Sequence, residues 1–137
     1  MPPKGVVFIC LGNSCRSIMA EALARHLGGE AVAAASAGIS PLGFIAPLTF
    51  KVLAEIGVST LGLRSKGLEE IDFPAYHLAV NLTDYSLAGR LPASFSGRLL
   101  HRPAPDPYGG SIEDYRQTRD FLHRLILQEV GEKVKWG

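Results

Sequence analysis

The chain has 137 residues, of which 47% are hydrophobic and 20% charged, the size of one compact domain over 1–137 with a single core, and too short for a multidomain assembly. Fourteen Lys and Arg against thirteen Asp and Glu leave a formal net charge of +1, so no strong field for nucleic acid or a membrane surface is expected and any anion site must be local. Runs of small and apolar residues such as Glu30 to Gly38 fall well short of the roughly 20 residues a bilayer span needs, which predicts a soluble protein.

The first element is a strand over Gly5-Val-Val-Phe-Ile9, β-branched and aromatic throughout, as expected of a strand buried on both faces. The apolar run ends at Leu11-Gly12-Asn13 with no small-residue cleavage pattern behind it, so a cytoplasmic location is expected. Cys10 to Arg16 is a polar loop. From Ser17 the period changes: Met19, Ala20, Leu23 and Leu27 repeat at helical steps until Gly28-Gly29 stops them. Ala31 to Ser36 reads as a second strand ending at Ala37-Gly38, and Pro47 opens a helix through Leu48, Val52, Leu53 and Ile56 that Gly57 closes. His77 to Leu82 is a third strand and Arg98 to His101 a short fourth. A long last helix begins near Ser111 and carries Ile112, Tyr115, Thr118, Leu122, Leu125 and Ile126 on one face. Strands interleaved with helices predict an α/β fold: a four-stranded parallel sheet with helices on both faces, in three layers. Such sheets bind ligands outside the carboxyl ends of their strands, where the loop from Cys10 lies.

That loop places a thiol at a strand end and an arginine six positions on, at the mouth of a helix. Wrapped between them, the amides of Leu11, Gly12, Asn13, Ser14 and Cys15, continued by those of Arg16 and Ser17, can turn inward and form a cradle for a tetrahedral oxyanion. Gly12 permits close approach of the backbone, and Asn13 tolerates a left-handed conformation. The planar fork of Arg16 holds two phosphate oxygens at once. The same surroundings favour the thiolate of Cys10, and Ser17 is placed to donate a hydrogen bond to its sulfur, which points to nucleophilic catalysis through a phosphocysteine. The two cysteines, Cys10 and Cys15, fit no zinc spacing.

A phosphate ester leaving as an alkoxide or phenoxide needs a proton donor from another strand end. His26, His77, His101 and His123 all fall in helices or strands. Asp106 sits between Pro105 and Pro107 directly after the fourth strand, where prolines stiffen the chain. It is expected to protonate the leaving group and then to deprotonate the hydrolytic water.

With Cys10, Arg16 and Ser17 near one end, Ser36-Ala37-Gly38 after the second strand and Asp106-Pro107-Tyr108 before the last helix, the chain resembles the low-molecular-weight protein tyrosine phosphatases over nearly its whole length. The resemblance implies a four-stranded parallel sheet, no metal or cofactor, Cys10 as nucleophile, Arg16 as phosphate clamp and Asp106 as general acid. It also implies a hydrogen-bond network of Asn13, Ser17 and Ser36 that shapes the loop, and a second loop thiol, Cys15, able to form a protective disulfide with Cys10. Two departures stand out. Many members carry a histidine after the second helix that braces the loop asparagine, whereas Gly62-Leu63-Arg64 offers none here. Ser40-Pro41-Leu42-Gly43 and the stretch from Gly109 to Asp120 look closer to the bacterial protein arginine phosphatase branch. That branch has a threonine at the position of Leu11, while the tyrosine phosphatases have an aliphatic residue.

Leu11 therefore points to a flat aromatic substrate, in a slot lined by Leu11 and Tyr108 with Leu42 or Phe44. The expected activity is hydrolysis of phosphotyrosine in proteins, with phosphoarginine hydrolysis as the alternative. Phosphorylated proteins are the expected partners, inorganic phosphate the product, and a monomer or weak dimer the expected state. Arsenate reduction on this fold relays electrons through further thiols, and none follows Cys15. A non-catalytic phosphoprotein-binding module would lack Cys10 or Asp106, and no nucleotide-binding G-x-x-x-x-G-K-[ST] occurs.

Overall fold

The computed structural model describes residues 2–134; Met1 and 135–137, which the expected domain includes, lie outside the described residues. Its order is β1 (Lys4–Cys10), α1 (Arg16–Gly28), β2 (Val32–Gly38), α2 (Pro47–Ala54), β3 (Leu78–Asn81), β4 (Arg98–His101) and α3 (Ile112–Leu125), which a π-helical turn (Ile126–Val130) joins to α4 (Gly131–Val134). The strands form one sheet in the order β2-β1-β3-β4, every pairing parallel. The fold is α/β, as expected. β1 is central, and the chain leaves it to β2 on one side and later returns to β3 on the other. The strand order reverses beside the carboxyl end of β1, where open parallel sheets keep their ligand sites.

Side chains of β1 alternate between two cores. Val6 and Phe8 join α1, α2 and α3, whereas Val7 and Ile9 pack with Phe73, Ala79 and Leu87. All four β1 residues are fully buried, which accounts for their unbroken apolar run. The helices on the second face are short 3-10 turns, Leu68–Glu70 and Phe73–Ala75, with Leu91 and Phe95 packed beside them. Those stretches lack a helical apolar period because they cover the sheet as loops.

Several boundaries differ from the sequence pattern. β2 runs to Gly38 because its end pairs with Cys10, while Ala31 belongs to a 3-10 turn. α2 stops at Ala54, before the turn that Gly57 completes with φ 72°. α1 is buried from Arg16 through Ala24, so its apolar stripe is wider than Met19, Ala20 and Leu23 suggested.

Candidate active site

The cradle's shape follows from where its carbonyls go. Those of Cys10, Leu11 and Gly12 accept from the amides of Ile39 (3.0 Å), Ser40 (2.8 Å) and Leu42 (2.9 Å), and that of Ser14 from Ala46 (3.3 Å). Thr49 on α2 adds Oγ1 to the Ser14 carbonyl at 2.9 Å, and Ser14 Oγ accepts from the Ala46 amide at 2.9 Å. The strap over 39–46 thus satisfies the outer edge of the loop and leaves its N–H groups for the concave side. The N-terminus of α1 has no side-chain cap and no acidic residue in its first turn, so its orphan donors face the same space. Two positions let the chain wrap this tightly. Asn13 sits at φ 47°, and Gly38 touches the loop so closely that a Cβ there would lie 2.8 Å from the Leu11 carbonyl oxygen and 2.9 Å from the Asn13 nitrogen.

Beneath the cradle runs a buried polar chain. The Cys10 sulfur accepts from the Asn13 amide at 3.3 Å and lies 2.8 Å from Ser17 Oγ. Asn13 Nδ2 donates to Ser17 Oγ (2.7 Å) and to Ser36 Oγ (3.0 Å), and Ser36 Oγ donates to the Glu21 carboxylate (2.6 Å). Asn13, Ser17 and Ser36 are 0% exposed and Glu21 is 2%, so every link is protected from water. The missing histidine has a replacement. Asn13 Oδ1 accepts from the main-chain amide of Lys66 at 2.8 Å, delivered there because the Lys66 carbonyl accepts from the Gly38 amide (2.8 Å) and Gly67 bridges to Gly38.

Arg16 enters from the first turn of α1. Its Nη1 donates to the carbonyls of Leu82 (3.2 Å) and Ala104 (3.4 Å), while Nη2 lies 3.6 Å from Asp106 Oδ2. One end of the fork is thereby anchored and the other turned to the cleft. Asp106 is half exposed, and its Oδ1 accepts from the Tyr108 amide at 3.1 Å. Its loop is pinned by Thr118, which donates to the Pro105 carbonyl at 3.0 Å, and by the Ala104 amide on the Leu82 carbonyl at 3.0 Å. Prolines alone therefore do not hold Asp106; α3 and β3 share that role.

Cys10, Arg16 and Asp106 meet in a cleft of about 320 Å³ whose walls include Leu11, Leu42 and Tyr108. Gly12, Ser14, Cys15 and Ser40 complete it. Phe44 does not line it: the strap turns at Gly43, φ 83°, and leaves Phe44 50% exposed. The Cys15 thiol points to Tyr115 Oη at 3.5 Å, and burial pushes both groups above their usual ranges. None of the four histidines lines the cleft; His77 Nδ1 accepts from the Gly5 amide and His101 pairs with Asn81. Sequence reasoning missed Glu21, Lys66 and Thr118. For Glu21 a signal existed, a carboxylate inside the run Ile18 to Ala24 with Arg25 four residues on. The Lys66 contact is main chain and leaves no such trace.

Residues 5–135 match the sequence model of the family "Low molecular weight phosphotyrosine protein phosphatase". The chain is 33% identical to a protein-arginine-phosphatase of Bacillus subtilis, over 95% of this chain and 96% of that one. It is 30% identical to a glutaredoxin arsenate reductase of Synechocystis sp., over 94% and 98%. Among solved structures, a low molecular weight protein tyrosine phosphatase from T. tengcongensis superposes with a TM-score of 0.81 at 27% identity, covering 94% of this chain and 99% of that one. The names of these three proteins carry three substrates, so resemblance supports the cysteine-based chemistry and leaves the substrate to the site.

Proposed function

Since the chain belongs to the low molecular weight phosphotyrosine protein phosphatase family, we propose that it hydrolyses phosphotyrosine in proteins through a phosphocysteine on Cys10. The reading is carried by the cleft over Cys10, whose walls at Leu11, Leu42 and Tyr108 are apolar and whose floor is polar. A phenyl ring is stabilised by such walls while its phosphate is held below. A guanidino group would bring N–H donors against the Leu11 and Leu42 side chains, which accept nothing.

The thiolate of Cys10 attacks phosphorus from beneath, and the bond to the phenolic oxygen breaks on the opposite side, next to Asp106. The Asp106 carboxyl gives that oxygen its proton, so tyrosine leaves neutral. The equatorial oxygens stay on the cradle amides and the free end of the Arg16 fork. The Asp106 carboxylate then takes a proton from water, which attacks phosphorus and expels the Cys10 thiolate with inorganic phosphate as product. The Ser17 hydroxyl, 2.8 Å from the sulfur, stabilises that thiolate each time it forms. No step calls for a metal or cofactor.

Phosphoarginine hydrolysis is the second reading, favoured by the identity to the Bacillus subtilis relative. Arsenate reduction fits less well, because its electrons need an exit through further thiols and the sequence holds only Cys10 and Cys15. Both cysteines are free thiols, which suits a reducing compartment, and we assign the cytoplasm. The deciding measurement is kcat/KM on matched phosphotyrosine and phosphoarginine peptides at several pH values. Preference for phosphotyrosine is expected; preference for phosphoarginine would overturn the assignment and install the second reading.

A further inference from the structure

The phosphoryl transfer described above makes no direct use of Glu21, although its carboxylate is only 2% exposed. It pairs with Arg25 one helical turn on, and Lys66 Nζ lies 3.9 Å away. The hydrogen-bond directions along the buried chain are what give it a role. The Lys66 main-chain N–H can only donate, so Asn13 must offer it Oδ1 and turn both Nδ2 protons to Ser17 and Ser36. Each hydroxyl then has one proton left. That of Ser36 goes to Glu21, and that of Ser17 has the Cys10 sulfur as its partner.

The reversed arrangement has a definite consequence. With the Asn13 carboxamide flipped, Oδ1 would take the protons of both hydroxyls, and Ser17 Oγ would become an acceptor for a Cys10 S–H. That arrangement favours the neutral thiol. It is opposed at two ends, by the Lys66 amide, which would face Nδ2 donor to donor, and by Glu21, which would lose its donor Ser36. We propose that Glu21, clamped by Arg25 and Lys66, is a positioning residue for the reaction: it polarises Ser36 and thereby locks Asn13 in the orientation that drives the Ser17 proton onto Cys10.

This rests on the reading of Cys10 as nucleophile. The charged and titratable groups around the two ends are few. Arg25 on α1, Lys66 on the segment before Gly67 and the Tyr76 phenol after the second 3-10 turn face Glu21. Arg64 and Glu70 lie behind Lys66. Arg16, Cys15, Asp106 and Tyr108 share the cleft with Cys10.

The test is Glu21→Gln. Arg25, paired with Oε2, draws the new carbonyl oxygen, so the amide nitrogen takes the Oε1 place beside Ser36, and Ser36 must pass its proton to Asn13, which flips. The midpoint for alkylation of Cys10 by iodoacetamide, followed against pH by mass spectrometry, should rise by about one unit, a tenfold loss of thiolate on the acid side. The acid limb of kcat/KM should move with it while the rate at higher pH is retained. The sign is diagnostic, because removing a negative charge that acted only through space would lower the midpoint. A midpoint that falls or stays put, or a loss of kcat/KM equal at every pH, would overturn the proposal. Should Glu21→Gln fail to fold by circular dichroism, Ser36→Ala cuts the same link without altering any charge; an upward shift is expected there too, and its absence is equally fatal. Alkylation needs no substrate, so it separates this proposal from the substrate assignment; turnover by Cys10→Ser would instead sink the nucleophile reading.

Discussion

At Cys10 and Asp106 the proposed chemistry divides into two steps that respond differently to substitution. Cys10→Ser keeps the cradle amides and Arg16 but replaces the thiolate with a hydroxyl, so hydrolysis should fall below detection while oxyanion binding persists. Asp106→Asn removes the proton donor, and general acids contribute about 10²–10⁴-fold. Its loss should be largest for phosphotyrosine and small for aryl phosphates whose leaving groups need no proton, as a plot of log kcat against leaving-group pKa would show. Cys10, Arg16 and Asp106 were legible in the sequence because their spacing is set by one loop and one proline-flanked corner. Glu21 was not legible as part of the site. A glutamate on a helix normally reads as a solvated residue, and only the packing of its side of α1 against Ser36 on β2 and the segment at Lys66 makes it a buried one. Leu42 and Phe44 were indistinguishable in sequence, since a single φ at Gly43 separates wall from rim.

Among the elements, α2 matters as the outer support of the cradle through Thr49 and Ala46, and what holds α2 is ionic as well as apolar. Glu55, just past its end, pairs with Arg116 and Arg119 on α3, and the Arg116 hydrogen bond leads the effects that bring its carboxyl down to about 2. A carboxyl held below its unfolded value stabilises the fold above that unfolded value and loses the contribution as pH falls toward 2. Glu55→Gln should therefore lower Tm near neutral pH and flatten the decline of Tm between roughly pH 4.5 and 2, measured by calorimetry. An unchanged slope would show that the pair is screened by solvent, as exposed pairs often are. The helices and strands were readable from their apolar periods. The strap over 39–46 was not, because its contribution is a row of main-chain donors aligned with the cradle carbonyls, and such pairing leaves no pattern in side-chain type.

For the whole molecule, the sheet order places the cradle, the Asp106 corner and the carbonyls that anchor Arg16 at one edge, drawn from segments far apart in the chain. The alternation of strand and helix predicted that edge, but it did not predict that the second face would be covered by loops and 3-10 turns. With a formal net charge of +1, attraction for a phosphate dianion comes from the cradle itself. Inorganic phosphate at 100 times its Kd should stabilise the fold by about 2.7 kcal/mol, a rise in Tm on the order of 10 °C. Arg16→Lys should lose most of that rise; an equal rise in the variant would mean that the guanidinium is no clamp.

The brace supplied by Lys66 has an evolutionary corollary. Its donor is a peptide N–H, so any amino acid except proline can occupy the position and still furnish it. What the brace requires is register: the Gly38 amide on the Lys66 carbonyl and the bridge from Gly38 to Gly67 bring this one peptide unit under Asn13. As far as the brace alone is concerned, the side chain at this position is free to drift while the pairing with Gly38 is fixed, and relatives that use a side chain for the same duty would be under the opposite constraint.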